Sequence, residues 1–186
     1  MKILITGGNG QLGQELQHLF DERKISYDAA DVNVLDITDE TKVEAYFAKN
    51  RPEVVYHCAA YTAVDKAEGE GKAVNEAVNA LGSEIIAKAC KKYDALLVYV
   101  STDYVFDGKR TEGEYMPDDP KGPRNEYGRT KLIGEEAVQK YCDKYYIVRT
   151  AWVYGKWGHN FVYTMLNLAK DHERLTVVSD QIGRPT

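Results

Sequence analysis

Residues 2–13 read Lys-Ile-Leu-Ile-Thr-Gly-Gly-Asn-Gly-Gln-Leu-Gly. The apolar run 3–5 is typical of a buried strand, and the apolar residues from Leu12 onward recur at helical spacing. A strand, a glycine turn and a helix in this order predict a separate role for each of three glycines. These roles are a sharp turn at Gly7, close approach of the backbone to a diphosphate at Gly10, and tight packing of the helix at Gly13. The segment therefore predicts a dinucleotide site, with a plain tight turn as the alternative.

Composition limits the classes of protein to which the chain can belong. Its 186 residues fit one domain, and the net charge of −5 argues against nucleic acid or an anionic membrane as the main partner. No apolar run reaches the length of a membrane span and no signal-peptide layout is present, so we expect a cytoplasmic protein. The chain has an odd number of cysteines, and they are widely spaced: Cys58, Cys90 and Cys142. This pattern predicts free thiols, without a disulfide framework or a metal site.

Strand and helix patterns alternate along the chain. This alternation predicts an α/β fold, a Rossmann-type doubly wound parallel sheet built from right-handed βα units. The predicted strands lie at 3–5, 25–30, 53–58, 95–100, 145–150 and 175–179, and the predicted helices at 12–20, 38–47, 72–92, 125–140 and 159–170. Residues 102–125 are polar and form a connection long enough to suggest a functional loop.

Ligands of such sheets bind beyond the carboxyl ends of the strands, so those ends are candidate sites. Asp31 follows the second predicted strand, where a carboxylate can accept from ribose hydroxyls. An aspartate is also a common turn residue, and both interpretations of Asp31 stay open. The small residues after the third predicted strand, from Ala59 to Thr62, would let a cofactor lie close to the backbone.

Tyr127 and Lys131 lie four residues apart in a predicted helix and therefore share one face. A phenol has a pKa of about 10, and a neighbouring ammonium would lower that pKa and so assist proton transfer. Thr102 ends the fourth predicted strand, where its hydroxyl can orient a carbonyl group. The spacing alone is common in a chain with 14 tyrosines, so its value comes from its place in the sheet.

The glycine loop, Thr102 and Tyr127-x-x-x-Lys131 together resemble the extended short-chain dehydrogenase/reductase superfamily. Longer stretches are similar to the dTDP-4-dehydrorhamnose reductase family, and the resemblance spans nearly the whole chain. These stretches are AAYTAVDKAE at 59–68, STDYVFDG at 101–108, RTAWVYG at 149–155 and DQIGRPT at 180–186.

This resemblance implies reduction of the C4 keto group of a dTDP-sugar by NADPH or NADH, giving dTDP-L-rhamnose for surface polysaccharide. It implies a catalytic set of Thr102, Tyr127 and Lys131. The implied cofactor residues are Gly7, Gly10, Gln11, Leu12, Gly13, Asp31, Asp36, Ile37, Ala60, Tyr61 and Thr62, with Tyr127 and Lys131 at the ribose. The implied sugar-binding residues are Val64, Thr102, Asp103, Tyr104 and Trp152.

Members of that family are longer, so the resemblance implies a cofactor domain at 1–150 and only the start of a substrate-binding portion at 151–186. Most of the C-terminal substrate domain would then be absent. Asp31 disfavours a 2′-phosphate and no arginine stands beside it, which leaves the choice between NADH and NADPH open. Glu15 matches a position that takes part in a Mg²⁺ contact in the family, but an exposed helical glutamate is the favoured interpretation. No metal site is predicted, and the oligomeric state stays open, a homodimer included.

Three rival functions make different demands on the same residues. A sugar-nucleotide 4,6-dehydratase needs an Asp-Glu pair after the threonine, whereas Tyr104 follows Asp103 here. A 4-epimerase uses the same threonine, tyrosine and lysine and differs in retaining its cofactor unchanged. A non-catalytic regulatory subunit, resembling that of methionine adenosyltransferase, is disfavoured by the intact catalytic set.

Overall fold

A computed structural model describes residues 1–183 and 186. Its five strands form one parallel sheet in the order β2-β1-β3-β4-β5. The strands are β1 Ile3–Thr6, β2 Asp28–Ala30, β3 Val54–His57, β4 Leu96–Thr102 and β5 Tyr145–Thr150. The predicted doubly wound α/β sheet is therefore confirmed.

Helices connect these strands, and one further helix follows β5. They are α1 Gln11–Glu22, α2 Glu40–Asn50, α3 Val64–Ala67, α4 Lys72–Asn75, α5 Ser83–Lys92, α6 Glu126–Tyr141 and α7 Phe161–Asp171, with a π-helical segment at Glu76–Gly82 and a 3₁₀ turn at Asp103–Val105. Asp39 caps α2 by accepting from the Lys42 N–H at 3.1 Å, and Asn125 caps α6 by accepting from the Gly128 N–H at 2.7 Å. No described helix is long and apolar enough to cross a membrane.

The two faces of the sheet have different cores because strand side chains alternate between faces. On one face, Leu4 and Leu97 belong to a large buried cluster that includes residues of α2, α5 and α6. On the other face, Ile3 and Ile5 pack with Phe20 of α1. Strands covered on both faces are expected in the middle of a parallel sheet.

The chain reverses its direction of winding at β1. Strand β1 lies between β2 and β3, and its last residue, Thr6, pairs with both Ala30 and His57. Such a switch point opens a crevice at the carboxyl ends of the strands, which is where ligands of these sheets bind. The glycine loop leaves β1 at this crevice.

Two predicted elements need correction, and one prediction lies partly outside the described residues. Residues 175–179 form no strand, because no described segment pairs with them and a strand needs a ladder partner. The predicted helix at 72–92 is continuous but widens into the π-helical segment. Of the 180–186 stretch, Arg184 and Pro185 lie outside the described residues.

Candidate active site

The glycine loop has the geometry that its spacing predicts. Gly7 has φ +68°, and a Cβ there would lie 2.7 Å from the backbone of Ala59. A Cβ at Gly13 would collide with the carbonyl oxygen of Gly7 and lie 2.9 Å from the Cα of Gly8. Both positions therefore exclude side chains. Gly7 does so because of its positive φ and its contact with Ala59, and Gly13 because the helix packs directly on the loop.

Gly10 differs from the other two glycines. It is the N-cap of α1 in an extended conformation, φ −73° and ψ 166°, and no side chain caps the helix. A Cβ at Gly10 would meet only the Gly7 carbonyl oxygen, at 3.2 Å. The first turn of α1, Gln11 to Gly13, thus presents its N-terminal N–H groups beside an uncrowded backbone, which suits an anion.

A cavity of about 250 Å³ opens next to this loop. Six predicted cofactor residues line it: Gly7, Gly10, Asp31, Asp36, Ile37 and Ala60. The sequence also placed Ala59 beside a cofactor, but it did not indicate the other lining residues: Val32, Leu35, Thr38, Cys58 and Val78. Of the remaining predictions, Gln11, Leu12 and Gly13 form the first turn of α1, while Tyr61 and Thr62 follow Ala60 without lining this cavity.

The Asp31 carboxylate joins the glycine loop to the end of β2. One of its oxygens accepts from the Asn9 N–H at 3.0 Å and the other accepts from the Val32 N–H at 2.8 Å. Asp31 is therefore a turn residue that also lines the cavity, and its role at a ribose stays a prediction. Each carboxylate oxygen keeps a second acceptor site for a hydroxyl group.

Asp36 stands at the same wall. Its Oδ1 accepts from both the N–H and the hydroxyl of Thr38, at 3.0 and 2.7 Å. These two hydrogen bonds lower the pKa of the Asp36 carboxyl, so it is ionised at neutral pH. Together with Asp31, it gives the adenosine end of the predicted site two carboxylates.

A buried asparagine, Asn79 in the π-helical segment, holds the backbone beyond β3. Its side chain accepts from the Tyr61 N–H at 2.9 Å and donates to the Tyr61 carbonyl at 3.0 Å. The Tyr61 ring lies against Gly71, where a Cβ would collide with the phenol. Asn79 thereby fixes the segment that the sequence assigns to the cofactor.

The same asparagine reaches the helix that carries Tyr127. Asn79 donates to Asn75 Oδ1 at 2.8 Å, and the Thr130 hydroxyl donates to that oxygen at 3.0 Å. Asn75 in turn donates to the carbonyl of Glu126 at 3.1 Å. Both asparagines and Thr130 are fully buried, so this network links the cofactor segment to the start of α6.

Thr102 lies at the end of β4 and is 5% exposed. Its hydroxyl donates to Asp103 Oδ1 at 3.1 Å and accepts from the Tyr104 N–H at 3.2 Å, which caps the 3₁₀ turn. The neighbouring Thr102 hydroxyl also acts to lower the pKa of the Tyr127 phenol. The structure therefore brings Thr102 and Tyr127 together, as predicted.

The electrostatics of Tyr127 differ from the prediction. Burial raises the pKa of its phenol, and this effect outweighs Lys131 and Thr102, which both lower it. The predicted lowering by Lys131 is present, but the pKa is raised overall because the ring is largely removed from solvent. A phenol with a raised pKa stays protonated at neutral pH, which is the state that a proton donor needs.

Lys131 is almost fully buried, at 2% exposure, and its Nζ donates to the Val100 carbonyl at 2.8 Å. The same ammonium lies 4.2 Å from the centre of the Tyr99 ring. Burial lowers the pKa of Lys131 to about 8, against the opposing influence of Tyr127, Glu135 and Cys58. Tyr127 and Lys131 are thus electrostatically coupled on one face of α6.

The predicted sugar-binding residues lie on three segments. Tyr104 packs edge-on against Tyr127 with ring centres 5.7 Å apart, and partial burial raises the pKa of the neighbouring Asp103 carboxyl. Val64 begins α3, and Trp152 follows β5 with φ +53° and its ring against Gly183. Of these four residues, Asp103 and Tyr104 stand directly beside the predicted catalytic set.

A further buried group escaped the sequence reasoning. Glu135, one turn after Lys131 on α6, is 2% exposed and forms a two-bond ion pair with Arg149 of β5. Its Oε1 also accepts from the Ser101 hydroxyl at 2.6 Å. The four-residue interval from Lys131 to Glu135 was the one available signal, because the partners come from distant strands.

Comparison with known proteins gives matches along the whole chain. The family model described as RmlD substrate binding domain matches residues 1–186. A dTDP-4-dehydrorhamnose reductase from Streptomyces griseus is 48% identical over 184 residues, which is 98% of this chain and 60% of the relative. The chain therefore spans less than two thirds of that relative's length.

Two solved structures are similar to the chain over its full length. A dTDP-4-dehydrorhamnose reductase from Clostridium acetobutylicum has a TM-score of 0.95 at 48% identity, with 65% of that chain covered. A second, from Bacillus anthracis and described as a complex with NADP, has a TM-score of 0.94 at 45% identity and the same 65% coverage. The chain belongs to the RmlD substrate binding domain family, and the resemblance to dTDP-4-dehydrorhamnose reductases indicated by its motifs is confirmed.

Proposed function

We propose that this chain binds NADPH or NADH and reduces the C4 keto group of dTDP-4-dehydro-L-rhamnose to give dTDP-L-rhamnose. The observation that carries the proposal is the convergence of Thr102, Tyr127 and Lys131 at the end of β4, on a sheet whose β1 opens into the glycine-loop cavity. The reductase names of the relatives and the NADP complex of one of them support it.

The residues present fit a dinucleotide. The uncapped start of α1 and the bare backbone at Gly10 suit the diphosphate, because a helix N-terminus attracts anions and a side chain would block their approach. The cavity beyond it, with Leu35 and Val78 in its wall and Asp31 at its edge, suits an adenosine. Lys131 keeps two ammonium protons beyond its hydrogen bond to Val100, which can serve the other ribose.

The chemistry divides between the cofactor and the side chains. When bound, the reduced nicotinamide supplies a hydride to C4 of the sugar. Tyr127 donates its phenolic proton to the oxygen on C4, and the hydroxyl of Thr102 turns from Asp103 to hydrogen-bond that oxygen. The Lys131 ammonium stabilises the phenolate that Tyr127 becomes.

The proposal includes a division of labour along the chain. Residues 1–150 hold the sheet and all the proposed cofactor and catalytic groups, whereas no residue of α7 is buried. The chain spans 60% of the Streptomyces griseus relative, and the unmatched share of that relative would hold the nucleotide end of the sugar substrate. Remote nucleotide contacts help to position the reacting carbon, so we expect the 186-residue chain to bind NADPH readily and dTDP-sugars poorly.

The test follows NADPH and NADH separately in mixtures with dTDP-4-dehydro-L-rhamnose. The 186-residue chain is compared with the whole Streptomyces griseus relative, and calorimetry measures binding of cofactor and dTDP on each. A reductase consumes one cofactor molecule for each sugar that it reduces. We expect this reduction to be faster in the whole relative than in the 186-residue chain. Conversion of a sugar nucleotide with the cofactor unchanged would instead indicate an epimerase, and cofactor binding without any turnover would favour a regulatory protein.

The low pKa of Lys131 predicts a pH dependence of the reduction. Below pH 8 the ammonium is charged and stabilises the Tyr127 phenolate; as pH rises through the pKa of about 8, that charge and its effect are lost. The rate should therefore fall on the alkaline side, approaching about tenfold per pH unit. Single-turnover NADPH oxidation, assayed between pH 6 and pH 10, checks this prediction. Cofactor affinity is measured at every pH. A rate that stays flat across the alkaline range would contradict it.

A further inference from the structure

The connection between β4 and α6 carries Asp103 and Tyr104 but has little regular structure after its 3₁₀ turn. Within the connection, Phe106 and Tyr115 stack with ring centres 4.4 Å apart, and the Gly122 N–H donates to the Val105 carbonyl at 3.0 Å. These contacts organise the segment internally. They do not by themselves fix it over the end of the sheet.

Arg149 of β5 connects this segment to the body of the domain. Its Nη1 donates to the Pro117 carbonyl at 2.9 Å, and its guanidinium carbon lies 5.1 Å from the centre of the Phe106 ring. One side chain therefore contacts the segment at two places eleven residues apart in sequence. The contacts combine a charge-assisted hydrogen bond with a cation–π interaction.

The other side of the same guanidinium is held by Glu135. Arg149 Nε donates to Oε1 at 2.8 Å and Nη2 donates to Oε2 at 2.7 Å, while Ser101 adds its hydroxyl to Oε1 at 2.6 Å. Ser101 immediately precedes Thr102, and Glu135 lies one turn beyond Lys131. The planar guanidinium of arginine is needed to reach both Glu135 oxygens and the Pro117 carbonyl at once, since an ammonium lacks this geometry.

We propose that Arg149, oriented by Glu135, is a positioning residue that anchors the 103–122 segment over the end of β4 and so holds Asp103 and Tyr104 in place for the sugar. A buried ion pair is costly to desolvate and adds little net stability compared with an apolar pair, which favours a role in fixing geometry. The anchoring follows from the contacts alone. Its consequence for catalysis rests on the proposed function.

The first test measures amide hydrogen exchange in the 186-residue chain. In Arg149→Lys, peptides covering 103–122 should exchange about tenfold faster than in the unchanged chain, with the glycine-loop peptides unaffected. The matched control is Arg110→Lys, which alters the ion pair between Arg110 and Asp119 inside the segment and should leave exchange nearly unchanged. Equal exchange in Arg149→Lys and the unchanged chain would overturn the anchor. If Arg149→Lys fails to fold, Glu135→Gln serves in its place, because it retains the shape of the acceptor but not its charge.

The second test separates anchoring from the proposed reaction. NADPH affinity of Arg149→Lys should stay within about twofold, while kcat/KM for the dTDP-sugar falls about tenfold or more. Faster exchange with unchanged sugar kinetics would overturn the positioning role and leave the proposed function standing. Absence of turnover in both the unchanged chain and the whole relative would defeat the proposed function, whereas the exchange result would still decide the anchor.

Discussion

The Tyr127→Phe variant should reduce the keto sugar at least about a hundredfold more slowly than the unchanged chain, because a proton donor contributes on the order of 10²–10⁴-fold to such a step. The change removes one oxygen atom and retains the ring that packs edge-on against Tyr104. Cofactor affinity should therefore change little. Single-turnover oxidation of NADPH, with protein in excess, gives the rate, and calorimetry gives the affinity.

The matched control is Tyr146→Phe. Tyr146 lies on β5 and its side chain is exposed, so the same loss of a hydroxyl should leave the rate unaltered. A rate within threefold of the unchanged chain for Tyr127→Phe would remove the phenol from the mechanism. An equal loss of rate and of NADPH binding would instead assign Tyr127 to cofactor binding.

Local patterns predicted the glycine loop correctly because its geometry depends on neighbours in the sequence. The conformation of Gly7 and the packing of Gly13 involve residues of one short strand-turn-helix unit, apart from the contact with Ala59. The helical interval between Tyr127 and Lys131 is equally local. For these positions, the conformational freedom of glycine and the helical repeat are sufficient to predict the local geometry.

Tertiary partners decided the features that sequence reasoning missed. The pKa of Tyr127 is raised by burial, which depends on everything packed around α6 and has no short-range signature. The pairing of Glu135 with Arg149 joins α6 to β5, and Asn79 hydrogen-bonds the backbone of Tyr61, eighteen residues earlier in the sequence. Charged and amide side chains in helices are ordinarily solvated, so no local pattern indicated that these residues lie in the interior.

The predicted strand at 175–179 shows a different limit. Its apolar residues are typical of a strand, but a strand forms only where another strand offers free N–H and C=O groups. Among the described residues, β5 pairs with β4 and nothing pairs with 175–179. Propensity alone therefore overestimated regular structure after β5.

Gly10→Val should weaken NADPH and NADH binding at least about a hundredfold while the domain stays folded, because a diphosphate at the start of α1 needs direct access to backbone N–H groups. The backbone of Gly10 is extended, a conformation that valine adopts without strain. The added Cβ would meet only the Gly7 oxygen at 3.2 Å, a contact that a few tenths of an ångström of movement relieves. The branched side chain would then occupy the space where the phosphates approach.

Two control substitutions distinguish loss of a site from loss of fold. Gly69→Val introduces the same side chain at a glycine with open space around it, so binding should be unchanged. Gly13→Val should unfold the start of α1, because its Cβ would collide with the Gly7 carbonyl and has no room to move. Circular dichroism and thermal unfolding report the fold, and calorimetry reports cofactor binding. A folded Gly10→Val variant that binds NADPH with unchanged affinity would show that the loop is only a turn, and the cofactor half of the proposed function would fall with it.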